Sequence, residues 1–362
     1  LLMKGEPSML ESKELANLIV SLRNLILPLG LLMLFLIILK VASNNKLITA
    51  IVILLIGFDL FRFGLKYNPF VPAHLLYPDT PVSEFLQENS GYFRVERENI
   101  NIFPPNTWIP YQLMSASGYD PLYPKQYYDF YSVYNDGIPG TGYTRYAELE
   151  NYNSPILDLA GVKYLIVAKR NKDGKIDKIS NEISNKISDE KYKRVFEDTV
   201  TVVLENPTVM PRATLYGDYD IRENHLDALR LLSDNYDFRN SIIINKKPAY
   251  EPSIKNPKDK IEIISYLSNE VILKTLSSGN TIAMLTDSFY PGWQVEVDGQ
   301  KAELLLADGA YRAVAVPGGS HTITFSYQPK SFKNGLLISL GSLLIFVLSF
   351  SFFRSRQKIL KN

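Results

Sequence analysis

The chain runs to 362 residues and carries 39 Lys and Arg against 38 Asp and Glu, a formal net charge of +1. That balance argues against a nucleic-acid binder, which carries a basic excess. There is no cysteine, which excludes disulfides, thiolate metal sites and cysteine nucleophiles. The three histidines, His74, His225 and His321, are too widely separated for the ligand spacing of a zinc site. A hydrophobic fraction of 46% is ordinary for a globular chain, so any membrane character must be concentrated in segments. Neither a metal nor a cofactor is expected.

Residues 1–24 mix Glu6, Glu11 and Glu14 with Lys4, Lys13 and Arg23. They read as a short amphipathic helix leading to the membrane from its outer side. The opening Leu-Leu-Met reads as the continuation of a longer chain. Leu25 to Leu39 is uncharged and nearly all apolar, and Leu47 to Phe61 repeats the pattern after a turn holding Lys40 and Lys46. A span needs about 20 apolar residues, so 25–66 predicts a transmembrane helical hairpin with interfacial residues completing its length. A signal peptide is the competing reading of the first run. No small-residue cleavage site follows it, however, and the second apolar run comes at once. A third run from Leu336 to Phe353 predicts a C-terminal transmembrane helix over 334–353 and a basic tail, 354–362, with Arg354, Arg356, Lys358 and Lys361. The positive-inside rule places turn and tail in the cytoplasm. Three spans connect those ends consistently, so 67–330 lies outside in a multi-pass cell-membrane protein, with the lipid bilayer as its first partner. Asp59, near the outer end of the second span, is a candidate intramembrane polar residue. The alternative places it at the interface, paired with Arg62.

Outside the membrane two regions are expected, an α/β region over 67–215 and a β-sandwich over 216–333. In the first, Thr80 caps a short helix with Pro81 at its first position, and Tyr92 to Glu96 forms a strand. Pro104 to Tyr111 is too proline-rich for a sheet interior. It leads into Ser117-Gly118-Tyr119-Asp120 and then Tyr127, Tyr128, Tyr131 and Tyr134. Flat aromatic faces with polar tips suit sugar stacking or a membrane interface; the alternative is that Tyr127, Tyr131 and Tyr134, near a helical period, pack inward. Asn106, Trp108, Tyr119 and Asp120 are the candidate glycan-contacting residues here. Pro155 to Ala160 suits a short helix and Val162 to Val167 a buried strand. Residues 169–193 have the composition of a solvated excursion. A hairpin is expected around Glu197-Asp198, a short helix over Asp227 to Leu232, and a polar connection over 236–260.

The sandwich is read from short strands separated by turn signals: Thr281 to Thr286, Gln294 to Val297, Ala302 to Leu306, Tyr311 to Val316 and His321 to Tyr327. Asp298-Gly299 predicts a type I′ hairpin, which needs positive φ at both central residues. Trp293 beside Tyr290 makes a candidate sugar platform, although an aromatic in a strand also suits a core. Asp287, Asp298 and Asp308 lie around the loops, where a carboxylate pair could in principle serve a glycosidase; Asp298 and Asp308 sit at turns where aspartate is favoured for local reasons, and that structural reading is preferred. No P-loop, dinucleotide fingerprint, nucleophile elbow or His-Glu-x-x-His occurs. No residue is assigned to catalysis.

Phe289-Tyr290-Pro291-Gly292-Trp293, Val297-Asp298-Gly299, Tyr311-Arg312-Ala313-Val314, Val316 to His321 and Phe325 to Pro329 before a span resemble the C-terminal end of the YfhO-type family of bacterial membrane proteins. Earlier pieces are similar too: Asn68-Pro69-Phe70 after a span, Asn106 before Ser117 to Asp120, Leu157 to Leu165, Glu205-Asn206-Pro207 and Met210-Pro211-Arg212-Ala213. Family members resemble C-type glycosyltransferases, with many spans, an extracytoplasmic domain and a last span. The resemblance implies glycosylation of a cell-surface polymer of lipoteichoic acid type from a polyprenyl-phosphate sugar. The catalytic carboxylate of such enzymes belongs to an outer loop ahead of most spans, and no segment here matches that loop. The chain therefore reads as the C-terminal portion of a membrane glycosyltransferase whose outer domain positions the acceptor. The alternative is a non-catalytic, membrane-anchored module that binds glycan or protein.

Overall fold

The computed structural model describes residues 9–41, 45–68, 70–98, 102–140, 145–169, 187–188, 190–254 and 256–359. The chain divides into two units, Leu1–Pro78 and Asp79–Asn362.

The first unit is built from helices α1 (Met9–Val41) and α2 (Asn45–Tyr67). They contain apolar stretches long enough to cross a membrane, Ile19–Ile38 and Lys46–Leu65. The separate amphipathic lead-in expected over 1–24 is corrected here, because α1 runs unbroken from Met9 into the apolar stretch. In hydrocarbon a backbone with unmade hydrogen bonds is heavily penalised, so a continuous helix is the favoured way into the bilayer. Asp59 lies inside Lys46–Leu65, and among the described residues no salt bridge joins it to Arg62.

The second unit opens with α3 (Pro81–Asn89). The Ser83 amide donates to the Thr80 hydroxyl at 3.2 Å and the Thr80 amide donates to the Ser83 hydroxyl at 2.8 Å, a reciprocal capping box. Val82 and Leu86 of α3 pack on a four-stranded sheet, β1 (Arg94–Arg97), β4 (Val162–Ala168), β6 (Thr201–Glu205) and β5 (Lys193–Glu197) in that spatial order. β2 (Gly118–Tyr119) and β3 (Tyr146–Ala147) form a small separate pair. Between them lies α4 (Lys125–Asp136), and α5 (Ile156–Leu159) precedes β4. Most of the solvated excursion expected over 169–193 lies outside the described residues.

The rest is β-rich. A six-stranded sheet runs in the order β7 (Ala213–Tyr216), β12 (Thr281–Ser288), β16 (Tyr311–Val316), β15 (Leu305–Ala307), β9 (Ile242–Ile244) and β8 (Tyr219–Ile221). A five-stranded antiparallel sheet runs β10 (Lys260–Leu267), β11 (Glu270–Ser277), β17 (Gly319–Tyr327), β13 (Trp293–Val297) and β14 (Gln300–Ala302). In β17, Ile323 and Phe325 alternate with more exposed neighbours and face inward. They share one core with Val271, Leu273 and Val295 of their own sheet and with Leu215, Ala283, Leu285, Val314 and Val316 of the other. Each fully buried apolar side chain of this size contributes about 1.5–3 kcal/mol.

β16 is buried along its whole length and β12 along all but its last residue, which is how a strand covered on both faces reads. The second cover is α4 with helix α6 (His225–Ser233): Phe130, Tyr134 and Leu229 share a core with Ile282, Met284, Tyr311 and Ala313. That core also takes in Leu157 and Val162. The boundary expected at 215/216 is therefore corrected: it falls inside β7, and one apolar core crosses it. The polar connection expected over 236–260 likewise contains β9, three buried isoleucines. β17 leads into a C-terminal helix, Lys330–Ile359, whose stretch Lys330–Phe350 is long and apolar enough to span. That helix begins four residues ahead of the expected boundary.

Candidate functional site

Three arginines placed by distant parts of the chain converge on one carboxylate. Arg94 stands at the start of β1, Arg212 just before β7 and Arg312 in β16. Asp287 comes from β12 at a break in register, where Leu285 pairs with Arg312 but Ser288 pairs with Tyr311. Such a bulge re-aims a side chain, here turning Asp287 toward the arginines. Gly161, at φ +70°, leaves the space they need, since a Cβ there would lie 3.2 Å from Arg212 Cδ.

All four side chains are buried. Arg312 Nη2 donates to Asp287 Oδ2 at 2.7 Å, Arg212 Nη2 donates to Oδ1, and Arg94 Nη2 lies 3.9 Å from Oδ1. Arg94 is anchored by donating to the carbonyls of Ala160 and Thr286, each at 2.5 Å. The Tyr266 hydroxyl lies 2.9 Å from both carboxylate oxygens and donates to Asp287. Burial alone would raise the Asp287 carboxyl. The guanidiniums of Arg212, Arg312 and Arg94 outweigh it and hold the group below the ordinary carboxylate range. Nε and Nη1 of both Arg212 and Arg312 are buried with no hydrogen-bond acceptor. The Arg312 guanidinium lies 3.6 Å from the centroid of the Trp293 ring, a cation–π contact that fixes its plane.

These residues line a cleft of about 480 Å³. Its far wall is the segment from Met114 to Ser117 together with Tyr123 and Tyr127. Glu96 holds that segment by accepting from Ser115 Oγ at 2.7 Å, from the amides of Ala116 and Ser117 at 2.6 and 2.9 Å, and from Ser117 Oγ at 2.7 Å. Tyr127 donates to Ala116 O at 2.7 Å. Ser268, in the turn between β10 and β11, and Ser288 add hydroxyls to the rim.

Of the candidate glycan-contacting residues only Trp293 lines this cleft, where it is joined by Asp287 and Tyr127, also singled out from the sequence. Tyr290 is 46% exposed three positions before Trp293. Asn106 and Tyr119 pair with each other: Asn106 Nδ2 donates to Tyr119 O at 2.9 Å, and the Tyr119 amide donates back at 3.3 Å. Asp120 caps its own turn by accepting from the Leu122 amide at 2.8 Å. Trp108 is a correction. It is 3% exposed, stacked on Phe103 in the core beneath β1 and β4, so its ring is not available to a glycan. In the tyrosine run, Tyr128, Tyr131 and Tyr134 are buried, while Tyr127 faces the cleft. Asp298 takes up the local role open to it, accepting from His321 Nδ1 at 2.6 Å and from the Thr322 amide at 2.8 Å. Among the described residues no group of His, Asp and Glu could hold a metal ion. Sequence reasoning missed Arg94, Arg212, Arg312 and Tyr266. The available signal was an arginine inside a strand that is otherwise wholly buried, a placement that demands a partner.

Residues 246–339 match the family described as bacterial membrane protein YfhO. A relative from Bacillus subtilis (strain 168), described as "Uncharacterized protein YfhO", is 22% identical over 171 residues, covering 47% of this chain. The matched stretch covers 20% of that relative, so the chain spans a fraction of the curated protein's length. No solved structure matches. The family match includes Asp287, Trp293 and Arg312 of the cleft.

Proposed function

We propose that this chain, a member of the YfhO-type family of bacterial membrane proteins, holds a glycopolymer or lipid-linked sugar in the arginine-lined cleft at the outer membrane face. It does so as the substrate-positioning part of a glycosyltransferase-like protein. The reaction class is that implied by the family resemblance: glycosylation of a lipoteichoic acid-type polymer from a polyprenyl-phosphate sugar. In this reading the two packed sheets form an extracytoplasmic sandwich, with the turn between the first two spans and the C-terminal tail in the cytoplasm.

The observation that carries the proposal is the composition of the cleft. An aromatic face (Trp293), serine and tyrosine hydroxyls and guanidiniums meet in a space of about 480 Å³. Such a mixture of one flat apolar face with convergent polar groups suits a carbohydrate bearing negative charge. Asn106, Tyr119, Asp120 and Tyr290 do not line this cleft and are proposed as glycan contacts outside it.

The same geometry favours binding over acid–base chemistry at this place. Asp287 is occupied by arginines and Tyr266, and Glu96 by four donors, which leaves neither poised for proton transfer. This also supports the second reading, a binding module without catalytic function. Ser268→Trp in the intact protein discriminates, because the turn residue is exposed and the indole would fill the mouth of the cleft. The expected result is a lower sugar-to-phosphate ratio in the purified surface polymer, matching a deletion strain, with membrane insertion unchanged. An unchanged ratio in both strains removes the glycosylation reading and leaves the binding module.

A further inference from the structure

We propose that the cleft is a phosphate-ester site in which Arg212 and Arg312 clasp the anion and Arg94 holds the cluster's charge in place. Three guanidiniums line the cleft with Asp287 as the sole lining carboxylate among the described residues. Glu96 and Arg97, just behind the wall, offset each other. A buried cluster is thus left with two uncompensated positive charges. Each unpaired buried ion carries a large desolvation penalty, and an arrangement that retains one has a use for an anion.

Nε and Nη1 of Arg212 and of Arg312 have no acceptor in the protein, a rare state for buried N–H groups. Asp287 takes one Nη2 of each guanidinium, so each keeps charged donors that an oxyanion drawn into the cluster can accept. A tetrahedral phosphate suits donors spread over two guanidiniums better than a second carboxylate does. A phosphate monoester carries about −1.5 to −2 charge at neutral pH, which balances the excess, and a phosphodiester, with a single charge, offsets half of it. The Trp293 ring centroid lies 3.6 Å from the Arg312 guanidinium, so that group is held before any ligand arrives. The cleft's volume of about 480 Å³ also has room for the glycerol or sugar that the phosphate would esterify, and Ser115, Ser117, Ser268 and Ser288 border that space.

The inference rests on the cleft being the binding site proposed above, and its test is a binding measurement independent of glycosylation. Full-length chain in phosphate-free amine-oxide micelles is titrated with inorganic phosphate, sn-glycerol 3-phosphate or phosphatidylglycerol, against chloride at matched ionic strength. Two signals are followed: the melting temperature, and Trp293 emission in a Trp108→Phe background. A saturable rise of a few degrees with a Trp293 spectral change is expected. A response to the soluble phosphates identifies a free or polymer-borne phosphate as the source. A response to phosphatidylglycerol alone identifies a lipid headgroup. Either supports the site. Arg312→Met is expected to melt near the wild-type temperature, because it removes an excess buried charge, yet to lose the ligand response. If that variant fails to fold, Ser268→Trp, which leaves the cluster intact, must lose the response instead. No response to any of the three ligands overturns the proposal, as does an undiminished response in Ser268→Trp. Phosphate binding alongside unaltered polymer glycosylation would remove the transferase reading and leave the anion site standing.

Discussion

Asp308 and Asp287 are buried aspartates with opposite electrostatics, and each makes a pH prediction. Asp308 accepts from the Ile243 amide at 3.0 Å through Oδ1, while its Oδ2 has no partner. Burial pushes its carboxyl up to about 7. An unfolded aspartate titrates near 3.9, so between roughly pH 4 and pH 7 the native state keeps a proton that the unfolded chain gives up. Stability from this residue must therefore fall as pH rises through that window and level off above it. An asparagine at this position would keep the Oδ1 acceptor and tolerate the φ of +46°. Asp308→Asn is expected to gain on the order of 2–3 kcal/mol at pH 8 and little at pH 4, read from thermal unfolding by near-UV circular dichroism. Asp287 has the contrary sign. Its carboxyl is held low by arginines, so its stabilisation is present above pH 4 and is lost as pH falls through the depressed folded value. Asp287→Asn leaves three guanidiniums facing one another and should cost about 3–5 kcal/mol. Added phosphate should restore part of that loss, measured as the same melting temperature with and without ligand.

At the level of elements, the turns were the most legible feature because their chemistry is local. Asp298 and Gly299 take φ of +49° and +75°, the geometry read directly from that dipeptide, and β13 pairs with β14 across them. Asp308-Gly309 repeats the pattern at +46° and +73°. The two glycines differ in surroundings. A Cβ at Gly299 meets nothing within 4 Å, whereas one at Gly309 would lie 2.6 Å from Leu229 Cγ and 3.1 Å from the His225 carbonyl. Gly299→Ala should therefore cost only about 1–2 kcal/mol of left-handed strain. Gly309→Ala should cost clearly more, because α6 must move off the sheet, and a urea titration of the two variants side by side reads the difference. Longer-range features were less legible. β9 is three isoleucines between polar neighbours, too short to show a period. The arginine cluster joins β1, the approach to β7 and β16, whose adjacency depends on sheet order rather than on spacing. Trp108 was misread because a proline-rich loop looks exposed, while its tryptophan inserts under the sheet beside Phe103.

For the whole molecule, the decisive quantity is which side of the membrane each segment faces. Three helices are long and apolar enough to span, and in the proposed topology the connection from α1 to α2 and the C-terminus share one side of the membrane with the β-rich region on the other. Lys40 at the end of α1, Lys46 at the start of α2 and the arginines after Phe350 favour the cytoplasm for that side under the positive-inside rule. The proposed function depends on this, since a surface polymer is reachable only from outside. The chain has no cysteine, so any introduced thiol is the sole label. Ser268→Cys marks the rim of the cleft, and Asn45→Cys marks the start of α2. With an impermeant maleimide on intact cells, Ser268→Cys should label fully and Asn45→Cys only after permeabilisation. Prior incubation with glycerol phosphate should slow labelling at Ser268→Cys, since the ligand would occupy the cleft that this residue borders. The reverse labelling pattern would place the cleft in the cytoplasm and exclude a surface polymer as its ligand, while the arginine geometry would still call for an anion there.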